Sequence, residues 1–265
     1  MKKISHKIIL LLLLISTLLI SSTSVMAAET DQHVTRDEKI KVILETGAPI
    51  EFIEQLSDAQ INDYYNQFQG KNIEYIGTET KEVLIQESDN YLTRGTIPAS
   101  SLQLGLSVFE DKADYGGEVY GLIIGPTFKW LKQPVWSLTD GFTINWDASL
   151  FNYQSFYTET GFMLNGTWYS KDFTNTPAVI SSGGLGFYLD IASGNLNQGS
   201  GSVYLVPRNQ LYDWNDLNTQ ISFVYAHQMA GASISFGIGT GGAGSFGVGI
   251  AGGNYDSQAI STIYH

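Results

Sequence analysis

From about Lys71 onward, apolar residues fall at every second position. That period puts them on one face of extended strands, because successive strand side chains point to opposite sides. Phe142, Ile144, Trp146, Ala148 and Leu150 alternate with Thr143, Asn145, Asp147 and Ser149. Leu102, Leu104, Leu106 and Val108 repeat the pattern, as do Leu185, Phe187, Leu189 and Ile191, and then Ile221, Phe223 and Tyr225. The runs 119–124 and 203–206 are more continuously apolar, as in strands buried on both faces. Tyr115-Gly116-Gly117, Asp140-Gly141, 181–184 and 193–201 read as turns between the runs. Many short strands spaced by turns predict a mainly β fold over 71–265, an antiparallel β-sandwich or partly closed barrel.

The end of this region has its own texture. Ile234, Phe236 and Ile238 alternate with Ser and Gly, and after Thr240-Gly241-Gly242-Ala243-Gly244 so do Phe246, Val248 and Ile250. The pattern predicts a Gly-rich hairpin with one apolar face, with Phe246, Val248 and Ile250 buried against the sandwich. Glycine weakens strands, so its repeated use implies either close packing of another backbone or a need to flex.

Ahead of the change of period, 29–70 reads as a short helical segment of two or three helices. Thr35 with Glu38 and Ser57 with Gln60 make capping boxes. Ile61, Tyr64, Tyr65 and Phe68 recur at helical spacing, and Gly47 and Gly70 are natural stops. Each helix is too short to be stable alone in water, so packing must hold it.

Residues 1–28 read as a cleavable signal peptide. Lys2, Lys3 and Lys7 precede an apolar run from Ile8 to Ile20, and Val25-Met26-Ala27 fits a small-residue cleavage site. The run is 13 residues (8 to 20), short of the ~20 a spanning helix needs. The expected location is secreted and extracellular. The chain carries −12 formal charges; losing the leader removes three lysines and no acid, giving −15. Nucleic acid is therefore no partner, since binding it rests on neutralising phosphates with Lys and Arg. There is no cysteine, so disulfide and thiol chemistry are absent.

Motifs for catalysis are missing. Three G-x-G-x-x-G matches, from Gly237, Gly242 and Gly247, sit inside alternating strand sequence and lack the strand-turn-helix setting of a dinucleotide site. Asp213 to Asp216 starts like a calcium loop, but Asn218 and Val224 stand where Gly and Glu are required. His227 ends an apolar strand and reads as a structural histidine. A paired-carboxylate glycosidase would have to draw on Asp140, Asp147, Glu159, Asp172 and Asp190. No catalytic, metal or cofactor residues are therefore assigned. Trp136 and Trp214 sit in loop-like sequence and are the candidate ligand-binding residues, since loop aromatics stack on sugars.

Three stretches, 46–65 (TGAPIEFIEQLSDAQINDYY), 128–147 (FKWLKQPVWSLTDGFTINWD) and 224–239 (VYAHQMAGASISFGIG), resemble segments of uncharacterised secreted proteins of Gram-positive bacilli. The resemblance implies a released bacterial protein with a β-rich body and transfers no site residues. The residues and the resemblance together predict an exported, non-catalytic protein that associates with a cell surface or binds a ligand, with a surface glycan or protein as partner. One alternative is a membrane-active, pore-forming or bacteriocin-like protein acting through the terminal hairpin. Its clean runs, 233–239 and 245–251, fall short of the ~9–11 residues of a spanning strand. The other alternative is a secreted hydrolase.

Overall fold

The structure, a computed structural model, describes residues 34–77, 81–82, 93–97, 101–113, 117–134, 139–164, 167–172, 177–191, 196–208, 217–228, 234–237, 249–251 and 255–264. The described residues 34–38 belong to one compact unit and those from Lys39 to His265 form another. In the first, Thr35 and Glu38 close the expected capping box: Thr35 N donates to Glu38 Oε2 at 2.7 Å and Glu38 N to Thr35 Oγ1 at 3.3 Å.

Three helices come first: α1 (Arg36–Glu45), α2 (Ile50–Ile53) and α3 (Asp58–Phe68). Ser57 caps α3 with the predicted box, accepting from Gln60 N while its own N–H donates to Gln60 Oε1 at 2.6 Å. Gly47 (φ 87°) and Gly70 (φ 72°) take the left-handed turns that end the first and third helices.

The strands build a β-sandwich of two sheets. One contains β1 (Asn72–Gly77), β4 (Leu102–Lys112), β5 (Val119–Trp130), β11 (Leu196–Pro207), β7 (Phe151–Leu164) and β8 (Thr167–Asp172), in that order and antiparallel throughout. We refer to it as the helix-side sheet. The other runs β2 (Lys81–Glu82), β15 (Tyr255–Tyr264), β12 (Thr219–Gln228), β6 (Thr139–Asn145), β10 (Gly184–Asp190) and β9 (Val179–Ser181). Within it β3 (Thr93–Thr96) lies parallel to β15, the one parallel pairing among the described strands. This is the hairpin-side sheet. A separate pair, β13 (Ser235–Gly237) and β14 (Gly249–Ala251), is the described part of the Gly-rich hairpin.

Alternation decides what each face meets. Leu102, Leu104, Leu106 and Val108 of β4, and Leu122, Ile124, Phe128 and Trp130 of β5, pack between the sheets. They meet Phe142, Ile144, Leu185, Phe187, Phe223 and Tyr225 from the facing sheet. The in-between residues Phe109 and Ile123 point the other way and form a second core with Ile43, Ile53, Ile61, Tyr64 and Phe68 of the helices. So β4 and β5 are buried on both faces, which is why 119–124 lacks polar alternation. Phe109 is the hub of this second core, with ring centroids 4.9 Å from Phe68, 5.2 Å from Tyr75, 5.4 Å from Tyr64 and 5.7 Å from Phe52.

Three sequence expectations end differently. The run from Phe142 to Leu150 stays extended only to Asn145, because Asp147 Oδ1 accepts from Ser149 N at 2.7 Å and turns the chain. Asp140-Gly141 is not a turn but the start of β6, and 196–201 belongs to β11. In β6 the glycine answers a tertiary need. Phe236 lies across Gly141 and Gly186, where an added Cβ would stand 3.1 Å from its ring. Tyr188 flanks that ring at 4.8 Å, and its hydroxyl donates to the Ile234 carbonyl at 3.2 Å. Ile250, half-buried, joins Ala226 and Ile234 in the same small cluster. Phe246 and Val248 lie outside the described residues.

Candidate functional site

The outer face of the helix-side sheet is not covered from end to end by the helices. At the start of α3 a small cleft of about 50 Å³, open to solvent, remains between the helix and strands β4, β5, β11 and β7. The strand register assembles it. Gln103 of β4 pairs with Lys129 of β5, Lys129 pairs with Gln198 of β11, and Ser200 beside Gln198 pairs with Glu159 of β7. These outward positions form a polar floor, and Gln55, Ser57 and Gln60 of the helical layer form the wall.

Glu159 is the fixed point. Only 3% of it is exposed, and Ser57 Oγ donates to its Oε2 at 2.5 Å. Ser57 therefore serves twice, as helix cap and as a bridge to a strand 102 residues away. Around this buried carboxyl stand the amides of Gln55, Gln60, Gln103 and Gln198, the Thr127 hydroxyl and the exposed Lys129 ammonium. Gln60 Oε1 is engaged by its cap and Gln55 Nε2 by the Glu51 carbonyl, so Gln103 and Gln198, with Lys129 and Thr127, carry the groups that can meet a ligand dense in hydroxyls or amides.

A second polar cluster is enclosed between the sheets. Asp140 is fully buried and lies 2.8 Å from His227 Nδ1 through Oδ1. Tyr225 donates its hydroxyl to Asp140 Oδ2 at 2.5 Å, Gln228 donates its backbone N–H at 3.1 Å, and Trp130 Nε1 donates to the Tyr225 hydroxyl at 3.0 Å. Burial pushes the Asp140 carboxyl above the usual range, opposed chiefly by the bond to His227. The Trp130 indole lies edge-on to the imidazole at 5.1 Å. Nε2 of His227 is buried without a partner among the described residues. An imidazole oriented by a carboxylate is able to transfer a proton, but here the pair is shut in by the core.

The remaining carboxylates are dispersed. Asp140 faces the interior while Glu159 faces the helices, so the two stand on opposite sides of a sheet. Asp147 holds its own turn, and Asp190 accepts from Thr139 Oγ1 at 3.5 Å. The side chain of Asp172 lies outside the described residues, as do Trp136 and Trp214. Among the described residues no three His, Asp or Glu side chains gather as metal ligands, and no helix is long and apolar enough to cross a membrane. The cleft escapes sequence reading because glutamines carry no spacing signature. A capping Ser beside a buried Glu becomes a site only after long-range pairing. No family model, no curated protein and no solved structure matches this chain.

Proposed function

We propose that the protein is an exported, non-catalytic β-rich protein that binds a cell-surface glycan through the cleft at the start of α3. The observation that carries this reading is the composition of the cleft: Gln103, Gln198, Thr127 and Lys129 stand around a single buried carboxyl already held by Ser57. Sugars present closely spaced hydroxyls that both donate and accept, and such a lining answers them. The net charge of −12 favours a neutral or basic polymer over an anionic one. Export is supported by the leader pattern of Lys2, Lys3, Lys7 and the apolar run that follows.

The test is binding of the purified protein to isolated cell-wall glycan, comparing wild type with Gln103→Ala, Lys129→Ala and Gln198→Ala. These side chains project from strands at the solvent face, so the variants keep the wild-type melting temperature. Each is expected to weaken binding about fivefold or more, the worth of one hydrogen bond left unmade. Wild-type affinity in all three would remove the cleft from the account. Release of dye from lipid vesicles would favour the membrane-active alternative instead, and turnover of a glycan lost in Glu159→Gln would favour the hydrolase.

A further inference from the structure

Among the described residues, the inner faces of β5, β7 and β11 leave a pocket towards one end of the sandwich. This pocket of about 180 Å³, partly open to solvent, lies among Phe128, Thr160, Phe162, Ile191 and Asn197, with the exposed Asp190 at its rim. The sequence leaves this space open by a run of small and polar residues on inward positions. Thr158 and Thr160 of β7 stand opposite Gly201 and Gly199 of β11, and Phe162 stands opposite Asn197. Elsewhere the same interior positions carry Phe, Leu, Ile and Val. The Phe128 ring lies over Gly199, where an added Cβ would come within 2.5 Å of it, so the ring is fixed as one wall. Phe162, stacked on Tyr169 at 5.5 Å and 16°, forms another.

Size and lining together specify an occupant. A cavity of about 150 Å³ lined by apolar side chains accepts a benzene molecule. The present one is slightly larger and partly open, with Asp190 at its rim; it has two aromatic walls and Ile191, and adds the Thr160 hydroxyl and the Asn197 amide, both residues being buried. We propose that this cavity binds a small one-ring organic molecule bearing a hydroxyl, with the ring between Phe128 and Phe162 and the hydroxyl at Thr160 and Asn197. The site is separate from the helix-side cleft, and either can fail without the other.

The experiment is a titration of the purified protein with p-cresol and with toluene, followed by saturation-transfer NMR. Saturable binding of both at one equivalent is expected, with p-cresol about fivefold the tighter because of its hydrogen bond. Thr160→Leu, which fills the space, should abolish saturable binding of both. Thr160→Val, which removes the hydroxyl at constant volume, should keep toluene binding unchanged and bring p-cresol down towards it. That second variant decides the matter if the leucine variant does not fold. Absence of saturable binding to wild type, or undiminished p-cresol binding in Thr160→Val, would overturn the proposal.

Discussion

Phe109 shows how much one side chain can carry. It is fully buried, belongs to a strand whose other face fills the sandwich, and touches four aromatic rings of the helical layer and β1. Phe109→Ala should cost about 3–5 kcal/mol in urea unfolding, the usual range for emptying an aromatic site in a core. The buried Asp140–His227 pair makes a different demand. His227→Ala removes one hydrogen bond from the buried Asp140, which keeps those from Tyr225 and Gln228, and a loss of about 1–3 kcal/mol is expected in the same measurement. Asp63 gives a pH signature. Burial raises its carboxyl above the ordinary 3.8, against bonds from Ser202 and Gln67. The folded state then holds the proton more tightly than the unfolded chain, so this group stabilises at acid pH and the benefit is lost as pH rises through the raised value. Asp63→Asn, which does not titrate, should show a smaller fall in melting temperature between pH 4 and pH 7 than wild type. An equal fall would mean that Asp63 does not titrate abnormally.

At the scale of elements, what the sequence made legible was whatever is local. Thr35 with Glu38 and Ser57 with Gln60 each lie three residues apart, and both boxes form because a helix start needs nothing beyond its own first turn. Alternation likewise revealed the inner faces of β4, β6, β10 and β12. Non-local facts were hidden. Asp140-Gly141 has the composition of a turn, yet Gly141 is in a strand because Phe236, far along the chain, needs a flat surface there. The Ser57–Glu159 bond spans 102 residues and has no trace in local pattern. Two consequences follow for the elements themselves. Ser57→Ala should destabilise α3 by about 1 kcal/mol for the lost cap, and by more if Glu159 is left unsatisfied. Gly186→Val should displace Phe236 and raise hydrogen exchange in β13 and β14 while leaving the β4 and β5 amides protected. Unchanged exchange in β13 would show that the ring does not hold the hairpin to the sheet.

Within the unit Lys39–His265, three layers follow from two periodicities. Helices bury one stripe on the helix-side sheet, that sheet buries its inner face on the hairpin-side sheet, and β13–β14 cover part of the outermost surface. The proposed binding site lies where layering is incomplete, at the start of α3, where polar strand positions stay open to solvent around the buried Glu159. The most direct measurement is binding of the purified protein to intact Gram-positive cells compared with protein-free liposomes. The account predicts saturable binding to cells, reduced by Gln103→Ala and Lys129→Ala, and none to liposomes. Binding to liposomes with no preference for cells would contradict it and shift the function to the terminal hairpin.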